Sequence, residues 1–177
     1  MNFYSEFPAF DITLRDGRAL HIRATRMADE AEFLQAFDRL SADARYMRFM
    51  HAVREPNLDR LRKALASFPE SGVAIVATVP AADGFDIVGS AICLIESDPA
   101  TCEFAMTIAE DYSRAGLGRT LLRALIDAAK QRGLRQMKGF VLADNKAMLR
   151  LAARVGFKVS PDPDDPTVRI CHLRIIR

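Results

Sequence analysis

The sequence predicts a mixed α/β (α+β) fold, with a central sheet of about six or seven strands and about four helices. Two observations lead to this fold class. Three apolar segments, residues 72–79, 87–96 and 101–108, are joined by short loops, which is typical of an antiparallel meander. A strand, a glycine-containing turn, a helix and another strand then follow between residues 101 and 142, and this order indicates a parallel β-α-β crossover.

The composition is that of a globular chain, with half of the residues apolar and 27% charged. A formal net charge of +2 gives no support to a nucleic-acid or membrane partner. No apolar run approaches the roughly 18 residues that a membrane span needs, and residues 1–6 lack the features of a signal peptide. The length of 177 residues fits one domain with a single core, so we predict one domain over residues 1–177, with an irregular lead-in at residues 1–10.

The cysteines also bear on the compartment. Cys93, Cys102 and Cys171 include no C-x-x-C pair. This sparse, odd count is typical of a reducing cytoplasm. Cys93 and Cys102 are predicted on adjacent strands, and we expect them to act as small buried apolar residues.

The N-terminal half predicts a hairpin and a first helix. Asp16 and Gly17 form a turn motif between residues 12–14 and the first full strand, residues 19–23. Asp29 is then placed in a first helical turn, where an acidic residue complements the helix dipole. The helix itself is predicted from apolar residues at helical spacing, namely Phe33, Phe37 and Leu40.

Between this helix and the meander, residues 41–55 are rich in arginine and predict a loop, and residues 58–68 predict a second short helix. Residues 72–79 are almost entirely apolar and predict a central strand that is buried on both faces and ends at Pro80. A turn is expected at residues 81–86.

After the meander, the chain alternates helices and strands. A helix is predicted from Leu117 to Arg132, and a strand over residues 136–142. Asp144 or Asn145 caps a further helix. A last strand is expected at residues 168–176, after an exposed acidic loop that contains three prolines.

The turn at residues 113–120, which we name the phosphate loop, is the most informative stretch. Gly116 and Gly118 allow a ligand to approach the backbone closely. The first amides of the following helix are unpaired and lie at the positive end of its dipole, and Arg114 and Arg119 add positive charge. The turn alone is equally well explained as a connector that uses glycine for tight packing.

Two familiar phosphate-binding motifs do not fit this loop. A Walker loop needs a glycine where Ser113 stands and a lysine where Arg119 stands. A dinucleotide-binding fingerprint needs a third glycine at the position of Leu121. The three histidines are His21, His51 and His172. Their spacing in the sequence is not that of metal ligands, so no metal site is predicted.

Together, the phosphate loop and the stretch from Asn145 to Gly156 and Phe157 resemble the GNAT superfamily of acyl-CoA-dependent N-acyltransferases. The family's pyrophosphate loop reads Gln/Arg-x-x-Gly-x-Gly/Ala, and its second signature is an Asn, a short helix and Gly-Phe. The resemblance extends from about Leu14 to Leu173. Three stretches are similar, more narrowly, to the bacterial protein lysine acetyltransferases: residues 14–17, 40–49 and 103–105.

This resemblance implies a GNAT fold and acetyl-CoA as cosubstrate, without a metal. The pyrophosphate is expected on the phosphate loop, that is, on Ser113, Arg114, Ala115, Gly116, Leu117, Gly118, Arg119 and Thr120. The pantetheine arm is expected to pair with the backbone of Met106, Thr107 and Ile108, and to hydrogen-bond with Asn145.

The sequence departs from the family pattern at three positions. Ser113 replaces the usual Gln or Arg, and Ala115 stands where a basic residue is common, so Arg114 or Arg119 has to supply the charge. Ala152 stands where many members carry a tyrosine that acts as general acid. Tyr112 or water is left for that role.

The reaction implied by the resemblance is direct attack of an amine on the thioester. A lysine amine has a pKa near 10.4 and must lose its proton, so a base is needed. Glu103 shares one strand face with Ala105 and Thr107, where a lone acid is expected to have a raised pKa. In the lysine acetyltransferase branch, the Glu of Glu-Phe-Ala has this role. The alternative is a surface glutamate on an edge strand.

Four residues of the arginine-rich segment are expected to line the acceptor site: Arg45, Tyr46, Arg48 and Phe49. The positive charge there either attracts an acidic patch around a target lysine or forms a solvated surface. The expected acceptor is a protein lysine. The alternatives are a small-molecule amine (a polyamine, an amino acid or a drug) and a non-catalytic acyl-CoA-binding regulatory domain. Monomer and homodimer both remain open.

Overall fold

The computed structural model describes residues 6–175, which form one eight-stranded mixed sheet with five α-helices. The strands are β1 (Phe10–Thr13), β2 (Ala19–Ala24), β3 (Gly72–Ala81), β4 (Gly84–Ile95), β5 (Thr101–Ile108), β6 (Gln136–Leu142), β7 (Lys158–Pro161) and β8 (Val168–Arg174). The helices are α1 (Glu30–Arg39), α2 (Ala42–Phe49), α3 (Leu58–Ser67), α4 (Leu117–Gln131) and α5 (Lys146–Val155). Short 3-10 turns lie at Met27–Asp29 and Glu110–Tyr112. The predicted fold class is confirmed, although the described residues form eight strands instead of about six or seven, and five helices instead of about four.

The sheet has the strand order β1-β2-β3-β4-β5-β6-β8-β7. Strands β1 to β5 are successive antiparallel neighbours, so the predicted meander is confirmed and extends back into the N-terminal hairpin. The crossover through α4 places β6 parallel to β5, also as predicted. Strand β8 pairs antiparallel with β6, and β7 with β8.

Helix α4 covers one face of the sheet and forms the centre of the core. Its leucines Leu117, Leu121, Leu122 and Leu125 are fully buried, and the helix packs on β3 and β4. Burial of one such side chain stabilises a fold by about 1.5–3 kcal/mol. The helix is therefore firmly held, and its N-terminus has a fixed position just after the end of β5.

Helix α2 lies where the sequence predicts a loop, so that prediction is wrong. The side chain of Ser41 caps the helix by accepting a hydrogen bond from the Ala44 amide at 3.0 Å. Met50 ends the helix in a left-handed conformation, with φ of 64°. The arginines of α2 leave it without a clear apolar periodicity, whereas the capping serine is a sign of a helix start.

Some predicted boundaries also differ. Strand β3 continues through Pro80 to Ala81, and the turn before β4 is shorter than predicted. The irregular lead-in predicted for residues 1–10 lies partly outside the described residues; residues 6–9 have no regular element, and β1 begins at Phe10. Strand β8 ends at Arg174, and the predicted end at residue 176 lies outside the described residues.

A buried ion pair holds the start of α1 against β2. Arg23 donates two hydrogen bonds to the two carboxylate oxygens of Asp29, each at 2.8 Å. The backbone amide of Arg26 donates a further bond to Asp29 at 2.7 Å. Asp29 is thus at the start of the helix, as predicted, but its carboxylate binds an arginine from a neighbouring strand.

All three cysteines are buried and free, as expected. A hydrogen bond between Cys93 and Cys102 lowers the pKa of Cys93 and raises the pKa of Cys102. Within residues 6–175, no helix is long and apolar enough to cross a bilayer.

Candidate active site

The central feature of the site is a split in the sheet beside Glu103. The parallel register of β5 and β6 covers only three residue pairs, and the last pair is Glu103 with Lys138. Beyond it, β5 continues to Ile108 in register with β4, and β6 continues to Leu142 in register with β8. The two strands therefore diverge after Glu103, and the β6-facing edge of β5 is open over residues 104–108.

A phenylalanine lies against β6 where the strands diverge. The ring of Phe104 contacts Gly139 so closely that a Cβ atom at position 139 would overlap it. The same ring packs against Phe157, with 5.1 Å between the ring centroids. Position 139 therefore requires a glycine, because the Phe104 ring lies too close to the backbone for a side chain. This packing holds β6 next to the point where the two strands diverge.

The phosphate loop follows the open edge of β5. Gly116 has φ of 95° and is the N-cap residue of α4, and Arg114 also has a positive φ, 64°. Thr120 donates the first helical hydrogen bond, to the carbonyl oxygen of Gly116 at 3.2 Å. The backbone amides of residues 114–119 donate no hydrogen bond to any other residue between 6 and 175. These free amides at a helix N-terminus form an arrangement that suits an anion.

The side chains of the phosphate loop have different surroundings. Ala115 and Leu117 are buried in the core, so their side chains are not accessible to a ligand. Arg114 and Arg119 are exposed. A Cβ atom at Gly118 would lie 3.0 Å from the Cδ2 atom of Leu151, which shows how tightly the first turn of α4 packs against α5. Ser113 donates a hydrogen bond to the carbonyl oxygen of Glu110 at 2.7 Å.

Asn145 caps α5, so of the two caps that the sequence allows, Asp144 and Asn145, the structure uses the second. Its side-chain oxygen accepts a hydrogen bond from the amide of Met148 at 3.2 Å. The side-chain amide nitrogen is the part of Asn145 that can donate to a ligand. Ala152, in the same helix, is fully buried.

Glu103 lies at the surface of the sheet in a row of paired residues, with Leu94 of β4 on one side and Lys138 of β6 on the other. Partial burial raises the pKa of the Glu103 carboxyl, and the negative charge of Glu96 raises it further. Lys138 and Arg48 act in the opposite direction. The predicted direction of this pKa shift is therefore found, but Glu103 is not a lone acid.

The neighbours of Glu103 are themselves paired. The Nζ atom of Lys138 forms an ion pair with Glu96 at 3.0 Å. Glu103 has no ion pair within 4.0 Å among residues 6–175. A carboxylate without a fixed partner is free to bind and deprotonate an incoming amine.

The four predicted acceptor residues lie on α2. The guanidinium of Arg45 donates to the carbonyl oxygens of Phe37, at 3.0 Å, and of Arg54, at 3.2 Å, and stacks over the Phe37 ring. Arg45 thus joins α1 to the segment after α2. Phe49 is half-buried and packs on Phe37, with 6.0 Å between the ring centroids, whereas Tyr46 is 47% exposed.

Arg48 is the residue of this group that lies near the candidate base. Its burial lowers the pKa of the guanidinium, as does the positive charge of Arg60, while the charge of Glu103 raises it. Its guanidinium also lies 4.9 Å from the centroid of the Phe49 ring. Arg48 is therefore close enough to Glu103 for their charges to interact, although the two form no ion pair within 4.0 Å and α2 and β5 are far apart in sequence.

Two arginines that the sequence does not single out contact the phosphate loop or the 3-10 turn just before it. Both belong to the turn between β1 and β2. Arg15 donates to the carbonyl oxygen of Arg114 at 3.3 Å, and Arg18 donates to that of Asp111 at 2.7 Å. The turn motif is visible in the sequence, but its contact with a loop about a hundred residues later is not.

Two surface hollows, of about 460 and 410 Å³, lie elsewhere in the molecule. The first is between α4, α5 and the end of β8, and the second is beside β2 and the β3–β4 turn. Neither is lined by Glu103 or by the phosphate loop. Over residues 6–175, no group of three or more His, Cys, Asp or Glu side chains could hold a metal ion.

A mixed sheet that splits beside a carboxylate, followed by a glycine turn with free amides, is the arrangement of an acyl-CoA-dependent N-acyltransferase. The model of the acetyltransferase (GNAT) family matches residues 34–157. The chain therefore belongs to the GNAT acetyltransferase family. It is an N-acetyltransferase with acetyl-CoA as its cosubstrate.

Individual relatives agree with this assignment. An acetyltransferase of Pseudomonas aeruginosa is 35% identical over 163 residues, which cover 92% of this chain and 88% of the relative. The acetyltransferase Pat of Mycolicibacterium smegmatis is 28% identical over 82% of this chain, and this match spans 43% of that protein. The crystal structure of the GNAT domain of S. lividans PAT has a TM-score of 0.85 at 18% identity, with 96% of this chain and 99% of that chain covered.

Proposed function

We propose that this acetyltransferase transfers the acetyl group of acetyl-CoA to a lysine side chain of another protein, in the cytoplasm. One observation carries the proposal: Glu103, with its raised pKa, lies on an open face of the sheet at the point where β5 and β6 diverge. Because this face is not enclosed, a lysine presented on a protein surface can reach the carboxylate.

The cofactor is proposed to lie along the split. The free amides of the phosphate loop hold the pyrophosphate, assisted by the positive end of the α4 dipole. The open edge of β5 at residues 106–108 offers backbone groups to the pantetheine arm, and the side-chain nitrogen of Asn145 offers a further donor. This placement directs the acetyl group toward Glu103, where the two strands separate.

In the proposed reaction, Glu103 removes a proton from the amine, directly or through a water molecule. Acetyl-CoA supplies the activated acetyl group; the carbon–sulfur bond breaks as the new carbon–nitrogen bond forms. The buried Ala152 provides no acid for the leaving thiolate. We assign protonation of the thiolate to water; the Tyr112 hydroxyl, on a ring that stacks against the Arg18 guanidinium at 3.9 Å, is the alternative acid.

Exposed apolar side chains around the base support a protein acceptor. Leu94, which pairs with Glu103 across β4 and β5, is 42% exposed, and Phe140 of β6 is 37% exposed. Tyr46 of α2 is 47% exposed. We take Leu94 and Phe140, on the strands that flank Glu103, as part of a contact patch, since contiguous exposed apolar surface commonly marks a site for another protein.

A second candidate function is acetylation of a small amine that carries a carboxylate, such as an amino acid. The position of Arg48 favours it, because this half-buried guanidinium interacts with the charge of Glu103 and has no ion pair within residues 6–175. A substrate carboxylate next to the reacting amine would form an ion pair with the Arg48 guanidinium.

An assay with a panel of acceptors separates these two functions. Purified enzyme and acetyl-CoA are mixed in separate reactions with native or denatured cell protein, with amino acids or with polyamines, and the release of free thiol is measured. The protein-lysine proposal expects turnover with cell protein that chemical acetylation of its lysines abolishes. Turnover restricted to small amines would favour the second function, and no thiol release with any amine would favour a regulatory domain.

A further inference from the structure

The phosphate loop carries fewer charges than the family pattern, and the structure shows a cation that lies close enough to compensate. Ser113 and the buried Ala115 provide no positive charge. The guanidinium of Arg15, on the turn between β1 and β2, reaches the loop and donates to the carbonyl oxygen of Arg114 at 3.3 Å.

The position of Arg15 relative to Gly116 is closely defined. A Cβ atom at Gly116 would lie 3.5 Å from Nε and 3.7 Å from Nη2 of Arg15. The guanidinium therefore lies in contact with the N-cap residue of α4. The free amides of residues 117–119 follow Gly116 directly, at the end of the helix that attracts anions.

We propose that Arg15 is a cofactor-binding residue, which contacts the pyrophosphate of acetyl-CoA together with the amides of the phosphate loop. This inference rests on the proposed function, since it requires the pyrophosphate to occupy that loop. Arg15 lies about a hundred residues earlier in the chain than the loop. It provides the positive charge that other members of the family carry within the loop itself.

The electrostatics of the ligand-free loop support this role. A guanidinium at the N-terminus of a helix meets the positive end of the helix dipole, which is unfavourable unless an anion lies between them. Arg15 has no ion pair within residues 6–175. The nearby carboxylate of Asp16 is already bound to Arg18 at 2.7 Å, so it does not neutralise Arg15.

Arg18 has a different task, because it holds the turn in place. Its guanidinium binds Asp16, donates to the carbonyl oxygen of Asp111 at 2.7 Å and stacks 3.9 Å above the Tyr112 ring. Leu14 and Leu20, on either side of the turn, are buried. These contacts fix the backbone of the turn, and Arg15 is then free to use its side chain on a ligand.

The test compares three acyl donors that differ in their phosphates: acetyl-CoA, acetyl-dephospho-CoA, which lacks the 3′-phosphate, and acetyl-pantetheine, which lacks all phosphates. Arg15→Ala is expected to raise KM for the first two by about tenfold. Turnover with acetyl-pantetheine should be unchanged. Arg135→Ala is the matched control for loss of one exposed arginine; this residue follows the far end of α4, about 22 Å away.

A second variant separates charge from folding. Arg15→Gln keeps a donor for the Arg114 carbonyl oxygen but removes the charge, so it is expected to lose the same affinity as Arg15→Ala. An unchanged KM for acetyl-CoA in both variants would overturn the inference. So would a loss seen with acetyl-CoA but not with acetyl-dephospho-CoA, since Arg15 would then bind the 3′-phosphate.

Binding of acetyl-CoA to the unmodified protein, measured by calorimetry, distinguishes this failure from failure of the proposed function. If the unmodified protein binds acetyl-CoA and the Arg15 variants bind it equally well, only the role of Arg15 is wrong. If the unmodified protein does not bind acetyl-CoA, the proposed use of the phosphate loop is wrong as well.

Discussion

The region around the phosphate loop and the region around α2 use their backbone and side chains in different ways. In the first region, α4 is anchored by fully buried leucines, and its N-terminal amides remain free for a ligand. In the second, α2 buries none of its residues fully, and its arginines hold neighbouring segments or lie near the base. A cofactor common to a family can be bound by backbone groups, whereas an acceptor is selected by side chains that a sequence can change.

The largest effect is expected at Glu103, where the two regions meet. Glu103→Gln should lower kcat by about 10²–10⁴-fold, because the amide cannot accept a proton from the amine. Affinity for acetyl-CoA should be nearly unchanged, since the phosphate loop is intact. Glu96→Gln is the matched control, because it removes a carboxylate close to Glu103 without removing the base. Equal turnover of Glu103→Gln and the unmodified enzyme at saturating amine would exclude this role.

The next largest effect concerns the attachment of α1, which leads into the acceptor region. Arg23→Ala should lower the free energy of unfolding by about 3–5 kcal/mol, because it leaves the Asp29 carboxylate buried without its partner. Urea denaturation measures this change. Arg62→Ala breaks the exposed ion pair between Arg62 of α3 and Glu30 of α1, and it should cost far less, because solvent screens this pair. A similar fall in the free energy of unfolding in both variants would contradict the conclusion that the Arg23–Asp29 pair is buried and the Arg62–Glu30 pair is exposed.

On the cofactor side, Gly116→Ala should weaken acetyl-CoA binding by about tenfold. Its φ of 95° is unfavourable for alanine, and the added methyl group would point toward Arg15. Gly133→Ala is a close control, since Gly133 has φ of 85° but no atom within 4 Å of the new Cβ. In both variants the free energy of unfolding should fall by about 1 kcal/mol, because alanine is strained at a positive φ. Calorimetry should show weaker cofactor binding only for Gly116→Ala; equal binding by both would argue against a ligand at the loop.

The smallest effect is expected in the pH dependence. Glu103 must be ionised to act as base, so kcat/KM should rise with pH through its pKa, which lies above the ordinary value for a glutamate. Lys138→Met should move this acidic limb to higher pH, because Lys138 lowers the pKa of Glu103. Glu96→Gln should move it to lower pH, because Glu96 raises that pKa. Shifts in the same direction for both variants would contradict the assignment of the limb to Glu103.

Much of the cofactor side could be predicted from the sequence because its signals are local. The glycine turn, the apolar stripe of α4 and the Asn145 cap each lie within a few residues of the structure that they specify. The three strands of the meander follow from short connections between apolar segments. The position of Glu103 on the surface of β5 follows from the alternation of side chains along a strand.

The acceptor side was less predictable because its features depend on contacts between distant segments. The arginines of α2 interrupt the helical spacing of apolar residues, so the sequence does not predict this helix. Only the folded structure shows that Arg45 donates a hydrogen bond to α1 and that Arg48 interacts with the charge of Glu103. The bond between Arg23 and Asp29 likewise needs β2 and α1 in place.

The sequence by itself therefore determined the order of elements apart from α2, the glycine turn of the phosphate loop and the carboxylate on β5, since propensity and periodicity act over short distances. The tertiary structure decided that residues 42–49 are helical, where β5 and β6 diverge, which arginine lies near the proposed base Glu103, and that Arg15 reaches the loop. The physical reason is that the packing of whole helices and strands places these groups, and no pattern within a single segment encodes that placement.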